Sequence, residues 1–521
     1  MDGSRLVVAR GVTSIYFANV VVLASNTLYF LILTNILHST VSVGVVTALN
    51  LMIWLLVTIS LLAQPVTNQS PVPAPPAVLK FIPEFLVRKA HAAASRAFSV
   101  SLLSSATIAV AVGGLLIVSP GIAVPLLGGS SVESLFVQLA AVDVIMLSLV
   151  QVSLASLMAS GSMRRAGGYM VLWSVVRYGL ASVLLFHYAI AGILVGWVIG
   201  DGLLFLLAVR RVRVALHGGG GRSKFSMRDF MRYSSYTLLS AMLGYGVNQA
   251  DKLFTLAQEG LAKLAVYNVA IVAANFAALA PYALAMVLLP TLSSLHASGR
   301  VREMRQMVRQ YSRYVSLIVT PIAVGFAAIT GIALRIFGPA YVAGFLPSII
   351  VSLTSGVTAV GAVYAAVLLA AGEFKSYTAA NLLGVVSLAV VAYFSTPILG
   401  LSGPALGRAS LMMVAALLYA YAAFRGGFFG FDVRAYLSSV ASAAPMGVIV
   451  FLILSPFHSF HKQLALLPVV VVIGALLYLG ILRSLKLLGT EDLECIREMA
   501  PAHSQRLISL IARIAGVRGR D

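Results

Sequence analysis

The residues of this chain that could do chemistry are charged side chains placed inside long apolar segments. Arg177 lies about eight residues into one such segment, and Asp201 lies about eight residues from the end of the next, which puts both ~12 Å from the same membrane surface. Charged groups at such depth are costly, so each is a candidate functional residue. The two could form a structural ion pair, or they could bind a charged ligand or a coupling ion.

Four more charged residues raise the same question. Arg408 lies ~10 Å from the opposite surface, and the planar guanidinium can donate two parallel hydrogen bonds to a phosphate. The alternatives are that its side chain snorkels to the interface or pairs with Asp143. Asp143 is also a candidate for binding a coupling ion. Asp251 and Lys252 end another segment, where adjacent helical side chains point about 100° apart, so only one can face a cavity. They could be an interfacial anchor, or Asp251 could bind ligand hydroxyls or a coupling proton.

Neutral amides form the third group of candidates. Residues seven apart share a helix face, so Asn19 and Asn26 lie on one face of their helix, and Asn268 and Asn275 lie on one face of theirs. Amides in membrane helices most often hydrogen-bond between helices, but their concentration in four segments favours a polar cavity for a hydroxyl-rich ligand. The full set is Asn19, Asn26, Asn50, Asn248, Gln249, Asn268 and Asn275.

Composition places these residues in a membrane protein. Of 521 residues, 60% are hydrophobic and 10% are charged, whereas a soluble domain has about 25% charged residues. The net charge of +20 is typical of cytoplasmic loops facing anionic lipid, so we expect no nucleic-acid partner. Cys495 is the single cysteine, and the sequence has no nucleotide or zinc motif, so we expect no cofactor or metal. No cleaved signal peptide is evident, and we expect the first helix to be retained.

Apolar segments long enough to cross ~30 Å of hydrocarbon number fourteen. With the N-terminus inside, the inner segments hold 30 Lys and Arg residues and the outer loops hold 4, which supports the count and cytoplasmic termini. The connection 297–313 has one apolar and one basic face, and we expect an interfacial helix there. The segments are 12–33, 41–63, 98–119, 134–158, 169–187, 189–209, 234–256, 265–290, 314–337, 344–371, 378–398, 401–424, 435–455 and 463–482.

An internal repeat relates the first six segments to the next six. Gly121-Ile122-Ala123 recurs as Gly331-Ile332-Ala333, and Gly196, Gly200 and Asp201 recur as Gly403, Gly407 and Arg408. Six is even, so the copies have parallel topology. We predict an all-α integral membrane fold of fourteen helices with two pseudo-symmetric six-helix lobes. Its parts are an N-lobe at 1–215, a C-lobe at 216–430, two extra helices at 431–487 and a cytoplasmic amphipathic tail at 488–521.

This architecture resembles the multidrug/oligosaccharidyl-lipid/polysaccharide (MOP) flippase superfamily, and within it the polysaccharide-biosynthesis, Wzx-like branch. The resemblance covers roughly residues 5–425, and each motif in it is weak. The motifs are Ile82-Pro83-Glu84-Phe85, Asn248-Gln249-Ala250-Asp251-Lys252, Val266-Tyr267-Asn268-Val269-Ala270, Leu289-Pro290, Phe337-Gly338-Pro339-Ala340-Tyr341 and Leu369-Ala370-Ala371-Gly372.

The resemblance implies a flippase in the cell membrane that moves a polyprenyl- or dolichyl-phosphate-linked or pyrophosphate-linked oligosaccharide from the inner to the outer leaflet. The two lobes would give alternating access. Its partners would be membrane lipid, a coupling H⁺ or Na⁺, and glycan-assembly enzymes. The coupling-ion candidates are Asp143 and Asp251. The substrate-binding candidates are Arg408, Arg177, Asp201, Asp251, Lys252, Asn26, Asn50, Asn248, Asn268, Asn275 and Arg10.

Three other functions remain as alternatives. A cation-coupled multidrug antiporter of the same superfamily would have an intramembrane carboxylate without a cation partner, for which Asp143 is the candidate. A peptidoglycan-precursor flippase would carry more arginines near the first two segments, where only Arg10 lies. An enzyme acting on sugars needs acid and base carboxylates, and beside Asp251 the short outer loops contain only Glu133 and Glu259. We therefore expect no enzyme activity.

The predicted topology can be tested by cysteine labelling in a background without Cys495. Cysteines at positions Ser130 and Ser402 should react with an impermeant maleimide from outside, because both lie in predicted outer loops. Cysteines at Ser223 and Ser298 should react only from inside. Labelling of position 223 from outside would overturn the segment count.

Overall fold

The computed structural model describes residues 3–66, 76–217, 225–457 and 459–485; the side chains at 3–13, 16, 130, 276–287 and 289–290 fall outside this description. Every regular element in the described ranges is helical, as predicted. The α-helices are α1 Gly3–Leu37, α2 Thr40–Leu61, α3 Ala77–Val87, α4 His91–Val118, α5 Val124–Leu127, α6 Ser134–Ala159, α7 Met163–Leu216, α8 Met227–Ala297, α9 Val301–Phe337, α10 Phe345–Ala370, α11 Phe374–Leu399, α12 Ser402–Arg425, α13 Val433–Leu454 and α14 Phe460–Ser484.

The described helices include eleven that are long and apolar enough to cross a membrane. One of them, α7, has 54 residues and contains a break at Ala189, where φ is 48°. A second long helix, α8, has 71 residues and breaks at Gly260, where φ is 80°. All fourteen predicted segments lie in helix, and no segment extends more than two residues beyond a helix end. The number of membrane crossings stays a prediction.

The α7 helix is a hairpin of two arms that reverse direction at Ala189. The indole of Trp173 donates a hydrogen bond to Asp201, 28 residues later, at 2.8 Å. In one straight helix these residues would be about 42 Å apart. The α8 helix reverses at Gly260 in the same way, because the Tyr267 hydroxyl donates to Asp251 at 2.8 Å.

Glycines at every fourth residue hold the arms of α7 together. Gly192, Gly196 and Gly200 lie on one face of the second arm. A Cβ at Gly196 would lie 2.5 Å from the backbone nitrogen of Ala181, and one at Gly200 would lie 2.8 Å from Cα of Arg177. Small residues at this spacing let two backbones approach closely. The close approach puts Arg177 and Asp201 side by side.

The chain divides into two compact units. Unit 1 comprises residues 1–269 and 392–404, and unit 2 comprises 270–391 and 405–521. Inside unit 1, α3 packs its buried Val78, Ile82 and Phe85 into an apolar cluster with residues of α4, α6 and α7. These units differ from the predicted lobes, and the division into lobes stays a prediction. The predicted tail, 488–521, lies outside the described residues.

The predicted interfacial helix at 297–313 is instead the first part of α9 in unit 2. Met304 and Val308 on its apolar face are fully buried against a protein core that includes Tyr377 and Tyr419. On its basic face, Arg305 Nε donates to the carbonyl of Phe429 at 2.8 Å. The apolar face that was predicted to lie on the leaflet packs on protein instead, and no proline or glycine interrupts the helix between its start and Pro321.

Replacement of the central glycine of the α7 hairpin should destabilise unit 1. Gly196→Val puts side-chain atoms into the backbone of Ala181, and overpacking of this kind costs about 1–3 kcal/mol. Gly179→Val is the matched control, since no heavy atom lies within 4 Å of a Cβ at that position on the same hairpin. Thermal unfolding of the purified variants, followed by circular dichroism, measures the difference. Equal melting temperatures would contradict close packing of the arms.

Candidate functional site

Three charged side chains meet inside unit 1. Asp143 comes from α6, and Arg177 and Asp201 come from the two arms of α7; their exposed fractions are 0%, 1% and 0%. The Arg177 guanidinium donates from Nη1 and Nη2 to Asp143 Oδ1 and Oδ2 at 3.1 and 2.7 Å, which is a bidentate pair. Its Nη1 also donates to Oδ2 of Asp201. We call these three residues the charge cluster.

Aromatic side chains surround the charge cluster. The indole of Trp173 donates to Asp201 Oδ1 at 2.8 Å, so every carboxylate oxygen of the cluster accepts a hydrogen bond. The guanidinium carbon of Arg177 lies 4.8 Å from the ring centroid of Trp197, within the range of a cation–π interaction. Tyr29 of α1 stacks on Tyr178 at 5.2 Å between centroids. These rings exclude water and so strengthen the electrostatic interactions inside.

The charge balance of the cluster determines what it can do chemically. With all groups ionised, two carboxylates face one guanidinium, which leaves one negative charge in excess. Burial of an uncompensated charge costs several kcal/mol. One proton or one small cation would cancel the excess. The arrangement therefore suits reversible uptake of a single positive charge as well as a purely structural role.

The predicted contact between Arg177 and Asp201 is present, and the structure adds Asp143 to it. Two sequence-based alternatives for Asp143 fail as a result. It is not a carboxylate without a cation partner, and its guanidinium partner in this structure is Arg177, not Arg408. The long side chain of Arg177 reaches the carboxylate of Asp143 on the neighbouring helix α6. A comparison of Cα depths in the membrane does not include this reach.

Asp251 forms a second buried polar position in unit 1. It is fully buried on the first arm of α8, and its Oδ2 accepts a hydrogen bond from the Tyr267 hydroxyl at 2.8 Å. An interfacial anchor in contact with water does not fit such burial. Its neighbour Lys252 is half-buried, as expected if the two side chains point in different directions.

The amide candidates have mixed surroundings. Asn268 is buried, and within the described residues its Nδ2 donates no hydrogen bond. Asn248 Nδ2 instead donates to its own helix, at the carbonyl of Gly244, at 2.8 Å. Asn26 and Asn50 in unit 1 and Asn275 in unit 2 are half-buried.

Arg408 and Arg10 are the remaining arginine candidates. Arg408 lies on α12 in unit 2 and is 9% exposed. Arg10 falls within α1, and its side chain lies outside the described residues. The structure brings together Arg177, Asp201 and Asp143, and the roles of the other candidates stay predictions.

Sequence reasoning missed the aromatic residues of the site, since it assigned tyrosines to the membrane interfaces. A signal was present in the spacing. Trp173 precedes Arg177 by four residues and Trp197 precedes Asp201 by four residues, so each tryptophan shares a helix face with a charged residue. Two of the three tryptophans of the chain lie in these positions.

Solved structures show what class of fold this is. The structure titled lipid II flippase MurJ, inward closed conformation, matches with a TM-score of 0.69 at 13% identity, over 92% of this chain and 99% of that one. The Vibrio cholerae MATE transporter VcmN matches at 0.60 and 14% identity, over 80% and 97%. A MOP superfamily transporter from Pyrococcus furiosus matches at 0.58 and 14% identity, over 80% and 95%. The fold is that of MOP transporters.

The sequence places the chain more narrowly. Residues 82–342, half of the chain, match the family model described as polysaccharide biosynthesis protein, and the chain belongs to that family. A search of the curated proteins finds no significant match. The matched range contains the charge cluster and Asp251. The protein is a multi-span membrane protein with the fold of the flippase and transporter structures named above.

Removal of the arginine from the charge cluster should destabilise the protein more than removal of all three charges. Arg177→Leu leaves two buried carboxylates without a cation, at a cost of about 3–5 kcal/mol. The triple variant Asp143→Leu, Arg177→Leu, Asp201→Leu should recover most of this loss, because no charge is left unpaired. Thermal unfolding in detergent measures both effects.

Arg165→Leu is the control for this test, because Arg165 is an exposed arginine on the same arm of α7. Its melting temperature should match that of the unchanged protein. If Arg177→Leu also matched it, the charge cluster would contribute nothing to stability.

Proposed function

We propose that this protein is a flippase that translocates a lipid-linked oligosaccharide, carried on polyprenyl or dolichyl phosphate or pyrophosphate, from the inner to the outer leaflet. The observation that carries the proposal is the family match over residues 82–342. It is supported by the shared fold of a structure named as a lipid II flippase. A lipid-linked glycan has a hydrated anionic head group, which needs buried polar and charged residues to enter a region where charge is costly.

Recognition of the head group falls to two kinds of residue in this proposal. Arg408 binds the phosphate or pyrophosphate, since its guanidinium is largely buried and offers planar, bidentate donors. Asn268, Asp251 and the half-buried amides bind sugar hydroxyls, and the orphan Nδ2 of Asn268 supplies one such donor. Alternating movement of the predicted lobes 1–215 and 216–430 exposes the site to each side in turn.

The charge cluster is the proposed coupling site. Its excess of one carboxylate over guanidinium favours uptake of one H⁺ or Na⁺. The added charge would change the pairing between α6 and both arms of α7, which are the elements that the three residues join. Asp251, fully buried beside Tyr267, is the second candidate for the coupling ion.

One observation removes the residue on which the multidrug-antiporter alternative was based. The antiporter was expected to keep Asp143 free of a cation, whereas Asp143 is held by a bidentate contact with Arg177. A peptidoglycan-precursor substrate is the nearer alternative, because the phosphate and glycan chemistry is shared. Location in the cell membrane, cytoplasmic termini and glycan-assembly enzymes as partners complete the proposal.

Replacement of Arg408 tests whether this residue binds the lipid-linked phosphate. Arg408→Ala should abolish translocation of a fluorescent polyprenyl-pyrophosphate-linked sugar in proteoliposomes, with little change in melting temperature. Arg408→Lys should restore only part of the rate, because lysine keeps the charge but loses the planar fork. Accessibility of the sugar to an added glycosidase measures translocation.

Arg425→Ala is the matched control, since Arg425 is an exposed arginine at the end of the same helix. It should translocate at the unchanged rate. Full activity of Arg408→Ala would remove Arg408 from the site. Failure of the unchanged protein to move the lipid-linked sugar, together with cation-driven export of a drug from the same vesicles, would support the antiporter instead.

A further inference from the structure

A cavity of about 730 Å³ lies in unit 1 between α4, α6 and the end of α7. None of the candidate substrate or coupling residues lines it. It has a polar end and an apolar end, and each end has a different chemistry.

The polar end is cationic. Arg213 and His217 from the end of α7 line it together with His91 and Ser95 from the start of α4, and no acidic residue is among the lining residues. His91 Nδ1 is buried and has no hydrogen-bond partner within the described residues. The α4 helix also begins without a side-chain cap, which leaves first-turn N–H groups for a ligand. This end of the cavity is suited to a phosphate group.

The apolar end opens to an exposed apolar surface of α4. Leu102, Leu103 and Leu149 line this part, and Leu103 is 69% exposed. Val110 and Val118, further along α4, are also exposed, so the cavity wall continues as an apolar surface. A free anion would gain nothing from contact with this apolar surface. A hydrocarbon chain attached to a phosphate would bury apolar area against it.

We propose that this cavity binds an anionic phospholipid, with its phosphate against Arg213 and the histidines and an acyl chain along Leu102 and Leu103. A single arginine matches the single phosphate of a phospholipid. Residues 210–228, at the end of α7 and in the connection after it, hold six Lys and Arg residues and are predicted to face the anionic inner leaflet. The site is separate from the proposed substrate site and does not depend on the proposed function.

Native mass spectrometry of the purified full chain tests the proposal. At equal doses, dioleoyl phosphatidylglycerol should bind more tightly than dioleoyl phosphatidylcholine. Arg213→Gln should weaken phosphatidylglycerol binding about tenfold, because a charge-assisted contact to phosphate is lost. Arg210→Gln, an exposed arginine on the same helix that does not line the cavity, should bind as the unchanged protein does.

A second variant fills the cavity without altering its charge. Ser99 lines the cavity and is exposed, so Ser99→Trp should fold and should lose phosphatidylglycerol binding. Equal binding of the two lipids, equal loss in both arginine variants, or full binding by Ser99→Trp would each overturn the proposal. Displacement by undecaprenyl phosphate at equimolar dose would assign the cavity to the carrier lipid of the substrate. Displacement by millimolar inorganic phosphate would reduce it to an anion site.

Discussion

The contact of one guanidinium with two carboxylates inside an apolar bundle is the constraint on which unit 1 depends. The guanidinium of Arg177 is tolerated at this depth because Asp143 and Asp201 are held against it, and any negative charge on the carboxylates is compensated by Arg177. These mutual requirements fix α6 and the two arms of α7 relative to each other. The glycine face of the second arm and the tryptophans around the guanidinium serve the same geometry.

The same contact gives unit 1 more than rigidity. A fully hydrogen-bonded network with balanced charge would only stabilise the fold. This network is hydrogen-bonded at every carboxylate oxygen, but with all three groups ionised it has one negative charge in excess. In the proposed function, uptake of one cation would cancel this excess, and the stability of the network would then depend on the coupling ion. Asp251, beside the Tyr267 hydroxyl, is a third buried carboxylate in the same unit.

Sequence periodicity predicted the helical segments well, because hydrophobic length is the dominant signal in a membrane protein. Equal depth on adjacent arms was enough to predict the contact of Arg177 with Asp201. The third member was misassigned, since Asp143 is ~10 Å deeper than Arg177 when depth is counted at 1.5 Å per residue from the same surface. The flexible arginine side chain spans that difference. The course of α9 was mistaken because an amphipathic pattern is equally compatible with a buried face on protein and on lipid.

The hairpin form of α7 has a consequence for biosynthesis. Its first arm carries an arginine and its second arm carries an aspartate, and each alone costs roughly 2.5–3.5 kcal/mol on insertion at a helix centre. Partitioning of either arm alone from the translocon into lipid is therefore unfavourable. Asp143 is synthesised first, 34 residues before Arg177. Insertion of α6 would therefore cost less free energy if α6 stayed at the translocon until Arg177 was synthesised. The order of charges along the chain thus favours release of α6 and both arms of α7 into the bilayer as one preassembled group.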